Sequence, residues 1–203
     1  MRIHKIAVIT FLLCLSFSPA FAGRIPTYTG RVVDSQNGKP IDGASVLIYW
    51  EKGIPGFMHA NSEPIKAVLV ETDQTGSYSV DGFIAYLGLT AWLDYTQIII
   101  YCPGYQAYIS RIWEQDRSAN NGEDFKISDN LVRLQRIPPD FDHGKHFEKI
   151  EDALRGLDLY LSQPENSSWS DIKKMALIGF PERQSLLRKA DWEQERSRRD
   201  YGQ

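Results

Sequence analysis

Cysteine is nearly absent: the 203 residues hold Cys14 and Cys102 and no other. A disulfide framework of the kind that staples small secreted domains is excluded, so stability has to come from an apolar core. Long apolar runs are missing too. The longest mainly apolar stretch, Ile6 to Phe17, would reach only about 18 Å as a helix, against a hydrocarbon core of about 30 Å. Positive charge is not in surplus, since 23 Lys and Arg face 26 Asp and Glu for a formal net charge of -3. The basic face that a nucleic-acid partner needs is therefore lacking. Histidine is scarce, with His4, His59, His143 and His146 the full set.

At the front of the chain, Arg2 and Lys5 precede the apolar run, and Ala20-Phe21-Ala22 puts small residues at the two positions a signal peptidase reads. This order predicts a signal peptide over residues 1–22, cleavage after Ala22 and a periplasmic or secreted product with no transmembrane segment. Losing Arg2 and Lys5 moves the net charge from -3 to -5, and losing Cys14 leaves Cys102 alone. An apolar fraction of 42% is that of an ordinary globular chain, long enough for one domain with an appendage.

From Thr29 to Trp50 two runs of β-branched and aromatic residues flank Asn37-Gly38, Pro40 and Asp42-Gly43, which reads as strand, turn, strand. The strands are expected at Tyr28 to Asp34 and Ala44 to Trp50. In the second, Val46 and Ile48 share one face and Leu47 and Tyr49 the other, so both faces are apolar and the strand should be central. Further strands are expected at Ile65 to Thr72, Ser77 to Val80, Thr96 to Cys102, Tyr105 to Arg111 and Leu131 to Gln135. Asp73-Gln-Thr-Gly76 is expected to close a hairpin, with the Asp side chain bonding amides two residues on. Cys102, at the end of an Ile-rich strand, is expected to be a buried, unreactive thiol. Residues 51–63 and the polar insert from Trp113 to Asn130 are expected to be loops. Seven short strands separated by turn signals predict a mainly β fold, a seven-stranded antiparallel Greek-key β-sandwich.

Gly30-Arg-Val-Val-Asp34, Gly38-Lys-Pro-Ile41, Gly43-Ala-Ser-Val46, Thr72-Asp-Gln-Thr-Gly-Ser-Tyr78 and Pro103-Gly-Tyr105 occur in order over residues 27–136. Together they resemble the carboxypeptidase regulatory-like family. That resemblance implies a transthyretin-like (prealbumin-like) sandwich over residues 23–137 and an accessory role without catalysis. The zinc peptidases that carry such a domain keep their His-x-x-Glu pair in a separate catalytic domain, which this sequence lacks. Intradiol dioxygenases of the same general sandwich hold iron with two Tyr and two closely spaced His; the close pair here, His143 and His146, falls outside the sandwich.

After Pro138-Pro139 the period changes. Phe147, Ile150, Leu154, Leu157 and Leu161 recur every three or four residues, which predicts an amphipathic helix ended by Pro164. Asp142 stands as its cap. Ser168 with Asp171 opens a second short helix closed by Gly179, and Pro181 a third, giving a helical C-terminal tail over residues 138–203. The apolar stripe either packs on the sandwich or serves a partner.

The candidate binding surface is the loop after Trp50, where Phe57, Met58 and His59 follow Gly53, Pro55 and Gly56. Loops on a rigid sandwich are where recognition residues usually sit, although Phe57 and Met58 could equally fold back as a lid. His143 and His146, with Asp140, Asp142 and Glu148 near, are taken as a solvated helix start and not as a metal site; no metal, cofactor or catalytic residue is expected. The sequence thus reads as an exported, non-enzymatic accessory or recognition module for an envelope protein or other envelope component. A carbohydrate- or peptide-binding domain acting through residues 50–59 is the alternative, and a small metal-dependent hydrolase using His59, His143 and His146 a more distant one.

Overall fold

The computed structural model describes residues 22–56, 61–113 and 125–161. Within them nine strands and one helix form three layers. In chain order the strands are β1 (Ala22–Ile25), β2 (Tyr28–Asp34), β3 (Ser45–Ile54), β4 (Asn61–Glu71), β5 (Ser77–Val80), β6 (Phe83–Tyr86), β7 (Trp92–Tyr101), β8 (Tyr108–Trp113) and β9 (Asn130–Leu134). The helix, α1, spans His143–Leu161.

The middle layer is an antiparallel four-stranded sheet in the order β4-β3-β7-β8. One face of it meets a three-stranded sheet, β5-β2-β9, and the other meets α1. The mainly β sandwich with a C-terminal helix is as expected. It differs in two respects: β1 and β6 add a two-stranded ribbon, and β2 and β9 run parallel.

The double-faced apolar pattern of β3 is what makes three layers possible. Val46, Ile48 and Trp50 point between the sheets, where Val32, Ile98 and Leu134 meet them; Leu47 and Tyr49 point the other way. All five of these β3 residues are fully buried. On the far face α1 brings Ile150, Ala153, Leu154 and Leu157 down onto Leu47, Tyr49, Ile99 and Tyr101. Each large side chain so buried is worth at most about 1.5–3 kcal/mol. Two polar contacts fix the helix in place: the Tyr49 hydroxyl donates to the Ala153 carbonyl at 2.6 Å, and His146 Nε2 accepts the Ala107 N–H at 2.8 Å. Asp142 caps the helix, its Oδ1 accepting the Lys145 N–H at 3.0 Å. The apolar stripe therefore faces its own sheet at Ile150, Leu154 and Leu157; the helices expected after Pro164 lie outside the described residues.

Two strand expectations are corrected by tertiary contacts. Asp73 builds the turn as read, with Oδ1 accepting the Thr75 and Ser77 amides at 2.8 and 2.9 Å. Gly76 sits at φ 73°, where an added Cβ would lie 2.4 Å from the Val32 carbonyl oxygen. Yet β4 and β5 do not form a hairpin, because the chain changes sheets here. Buried Thr72 holds the corner, its hydroxyl donating to the Ile41 carbonyl at 2.7 Å and accepting the Ala44 N–H at 2.8 Å. Likewise β8 begins at Tyr108 and not Tyr105, since Gln106 N–H bonds Gln135 and Tyr105 bridges Arg136.

Asp34, at the end of β2, has both carboxylate oxygens engaged by donors. Its carboxylate accepts from Arg136 Nε at 2.7 Å, the Tyr105 hydroxyl at 2.9 Å and the Gln36 and Asn37 amides. The Arg136 guanidinium, assisted by those other donors, holds its pKa down at about 2.

Candidate binding cleft

A cleft of about 770 Å³ opens at one end of the inter-sheet core. Its walls come from separate parts of the chain: the β1–β2 junction, the start of β7, the end of β8 and the segment before β9. Pro26 and Thr27 interrupt the strands so that Ile25 and Tyr28, 3% exposed each, line the cleft while remaining packed in the core. Leu93, Ile112 and Phe125 complete the apolar lining. Phe125 stacks on Tyr28 with ring centres 6.1 Å apart and meets Tyr108 at 6.3 Å. The described part of the insert, residues 125–129, forms neither strand nor helix, as expected, yet Phe125 is buried, and one aromatic in a polar stretch was the signal for it.

The wall from Phe125 to Ser128 is held by side-chain clamps. Asn130, 5% exposed, accepts the Lys126 N–H through Oδ1 and donates from Nδ2 to the carbonyls of Lys126 and Thr29. Thr29 N–H bonds the Ile127 carbonyl at 3.2 Å, and Asp129 takes a left-handed φ of 58° to make the bend. The cleft is therefore built before any ligand arrives. Among the described residues that line it the charged ones are Arg24 and Lys126, and none of those described is acidic. An apolar floor beside two cations suits a group that carries an apolar body and an anionic end.

The sequence-based site is not brought together in this way. Trp50 is not a surface residue at all. It is fully buried between the sheets against Phe83 and Tyr28, at 5.0 and 6.0 Å between ring centres. Phe57, Met58 and His59 lie outside the described residues. The supposed loop is also shorter than expected, because β3 continues to Ile54 and β4 begins at Asn61, joined by the Lys52–Glu63 ion pair at 3.4 Å. Gly53 permits that extension: Trp92 lies directly over it, where a Cβ would fall 2.3 Å from the indole ring. His143 and His146 stand at the start of α1, with both rings edge-on to Phe141. Among the described residues no three His, Cys, Asp or Glu side chains are grouped to hold a metal ion. Cys102 is half-buried, and burial pushes its thiol pKa up.

A second polar assembly, unannounced by the sequence reading, lies on the α1 side of the four-stranded sheet. Glu51 is 3% exposed and receives a hydrogen bond from Tyr95, while its Oε1 has no partner. Burial raises its pKa, opposed in part by the Tyr95 hydroxyl and the Arg111 guanidinium. Arg111 lies over the Tyr95 ring at 4.5 Å and near Trp113 at 5.5 Å, and donates through Nε to Gln97 at 2.8 Å. Gln97 in turn donates to the Ser110 carbonyl at 2.9 Å.

No protein-family profile matches the sequence, and no curated protein matches it. Solved structures similar to it include 3-chlorocatechol 1,2-dioxygenase from Rhodococcus opacus 1CP, 16% identical over 57% of this chain with a TM-score of 0.40. Catechol 1,2-dioxygenase from Pseudomonas arvilla C-1 is 18% identical over 61% of the chain, with a TM-score of 0.37. A streptococcal ancillary pilin is 14% identical over 56% of the chain, with a TM-score of 0.27. The alignments cover 61%, 55% and 30% of those proteins' own lengths. The expectation of a chain without catalytic activity is corrected on this finding: the similar structures include dioxygenases, and the absence of enzymatic activity is withdrawn.

Proposed function

We propose that this chain is an exported recognition module of the cell envelope, and that the cleft between Ile25, Phe125 and Ile112 is where it takes its partner. The observation that carries the reading is the pairing of a rigid apolar floor with the cations Arg24 and Lys126 among the described lining residues. A partner segment that sets an aromatic or aliphatic group beside a carboxylate would satisfy both. The carboxypeptidase regulatory-like resemblance supports an accessory role of this kind. Export rests on the order of charged, apolar and small residues in positions 1–22. N-terminal sequencing of the exported protein should begin at Gly23, and recovery of a membrane-bound chain starting at Met1 would refute the cleavage.

The cleft itself is tested in the native envelope. A photoreactive residue in place of Ile127, which is 47% exposed at the rim, should crosslink a discrete partner. Lys126→Glu should abolish that crosslink while leaving the melting temperature unchanged, because the Lys126 contacts that hold the loop are made by its backbone. Crosslinks that persist undiminished with Lys126→Glu would overturn the proposal. We also propose residues 23–137 as the sandwich and 138–203 as its tail; a chain ending at 137 should still unfold cooperatively, at a lower temperature.

A further inference from the structure

We propose that the β1–β6 ribbon is a membrane-contact surface whose ligand is the bilayer interface itself. Three of the five exposed large apolar side chains among the described residues lie in β6 or just after it: Ile84 and Tyr86 in the strand and Leu89 beyond it, at 63%, 74% and 65% exposure. The alternation of β6 accounts for the first two. Phe83 and Ala85 turn inward to the core, so Ile84 and Tyr86 turn outward. Residues 83–91 carry no charge, so the exposed ones among them, Ile84, Tyr86, Gly88, Leu89 and Thr90, would bring no charged side chain to desolvate against lipid.

The partners across the ribbon suit the same surroundings. Arg24, which also lines the cleft, is paired with Ile84 and Ala22 with Tyr86, and both Arg24 and Ala22 are exposed. An outer face of Ile and Tyr with an Arg beside them is the mixture found at membrane–water boundaries, where the ring lies at headgroup level and the guanidinium reaches for phosphate. The opposite side of β6 is covered by Lys66, whose Nζ sits 4.5 Å from the Phe83 ring centre.

Before residues 1–22 are released, chain connectivity favours lipid over other occupants. The apolar run ends at Phe17, and Ala22 already pairs with Tyr86. Five residues span at most about 18 Å, so whenever that run is in a bilayer the ribbon is held at its surface. The side chains exposed there are the ones a bilayer would accept. After release of residues 1–22, the same face would give reversible, weak attachment, since three partly inserted side chains fall well short of a stable anchor.

A fluorescent probe reads this directly. Placed at position 86 of the full chain, with Cys14 and Cys102 replaced by Ser, it should be quenched by brominated lipid in phosphatidylethanolamine–phosphatidylglycerol vesicles. The same probe at position 131, also exposed but in β9, should not be. The comparison of positions holds whether or not residues 1–22 are still attached. Ile84→Ser and Leu89→Ser should each lower vesicle retention of the exported protein, on the order of tenfold per side chain. If the probe at 86 stays as open to an aqueous quencher with vesicles as without, the proposal fails. It also fails if shielding appears without lipid at high protein concentration, which would make a second copy the occupant.

Discussion

The two faces of the four-stranded sheet are built from alternating residues of the same strands, yet they are closed in different ways. Between the sheets, Val46, Ile48 and Trp50 meet a second sheet, and the polar group attached to that side, Asp34, has every oxygen engaged by donors. On the other face, Leu47 and Tyr49 meet a single helix, and the strand runs on into Glu51, buried with one oxygen unpartnered. A face closed by a sheet is tied at many strand positions. One closed by a helix leaves room at the helix end for polar groups and for partial opening. The first face should therefore set global stability and the second local opening and response to pH.

The largest expected effect comes from breaking the sheet-closed face. Trp50→Ala would empty the centre of the sandwich where the indole contacts Tyr28 and Phe83. The expected loss is about 3–5 kcal/mol, or roughly 10–15 °C in melting temperature. A loss under a few degrees would mean that the inter-sheet core is not the main source of stability. Binding at the cleft should fall with it, since Tyr28 belongs to both.

A smaller effect is expected from the helix-closed face. Leu157→Ala, at a fully buried position, should cost about 2 kcal/mol, the low end for such a truncation, because the end of a single helix can settle into the space. Hydrogen exchange distinguishes the faces better than melting does. Amides of α1 should exchange much faster in the variant while those of β3 and β7 keep their protection. Equal acceleration in both would show one cooperative unit and erase the distinction.

Most of the sheet-closed face was legible in the sequence, and most of the polar part of the other face was not. Val46 to Trp50 announces a strand apolar on both sides, and Asp73 with Gly76 announces its turn, because both signals are local. Which strands pair across that turn depends on Thr72 meeting Ile41 and Ala44, about 30 residues away, and no local pattern carries that. The four-residue strands β1 and β6 are too short for periodicity to show. Glu51 was misread as a loop residue since charge normally marks exposure. The available signal was that it continues the alternation of Leu47 and Tyr49, as Gln97 does that of Tyr95 and Ile99. The cleft drew its lining from separate segments, so only the fold could assemble it.

The smallest expected effect sharpens the comparison most, because it gives the two faces opposite responses to pH. Asp34 is lowered from an ordinary 3.8 to about 2 by Arg136 and its other donors. Below its native value the folded and unfolded chains are equally protonated there; between about 2 and 3.8 the unfolded chain binds more protons. Its contribution is thus complete above 3.8 and is lost as pH falls through about 2. Glu51 is raised above its ordinary 4.5 by burial, so the folded chain is the one that holds the extra proton. Its contribution is complete below 4.5 and lost as pH rises through the folded value. Glu51→Gln keeps the shape and the acceptor for Tyr95 without the ionisation. At neutral pH it should melt a few degrees higher than the parent chain, and the difference should vanish below about pH 4.5. Asp34→Asn should lower melting at neutral pH, with its deficit shrinking only in strong acid. Thermal melts of the three proteins from pH 3 to 8 decide the matter. A Glu51→Gln chain destabilised equally at every pH would show that the carboxylate is held by its partners as firmly as Asp34 is, and that the two faces do not differ in this way.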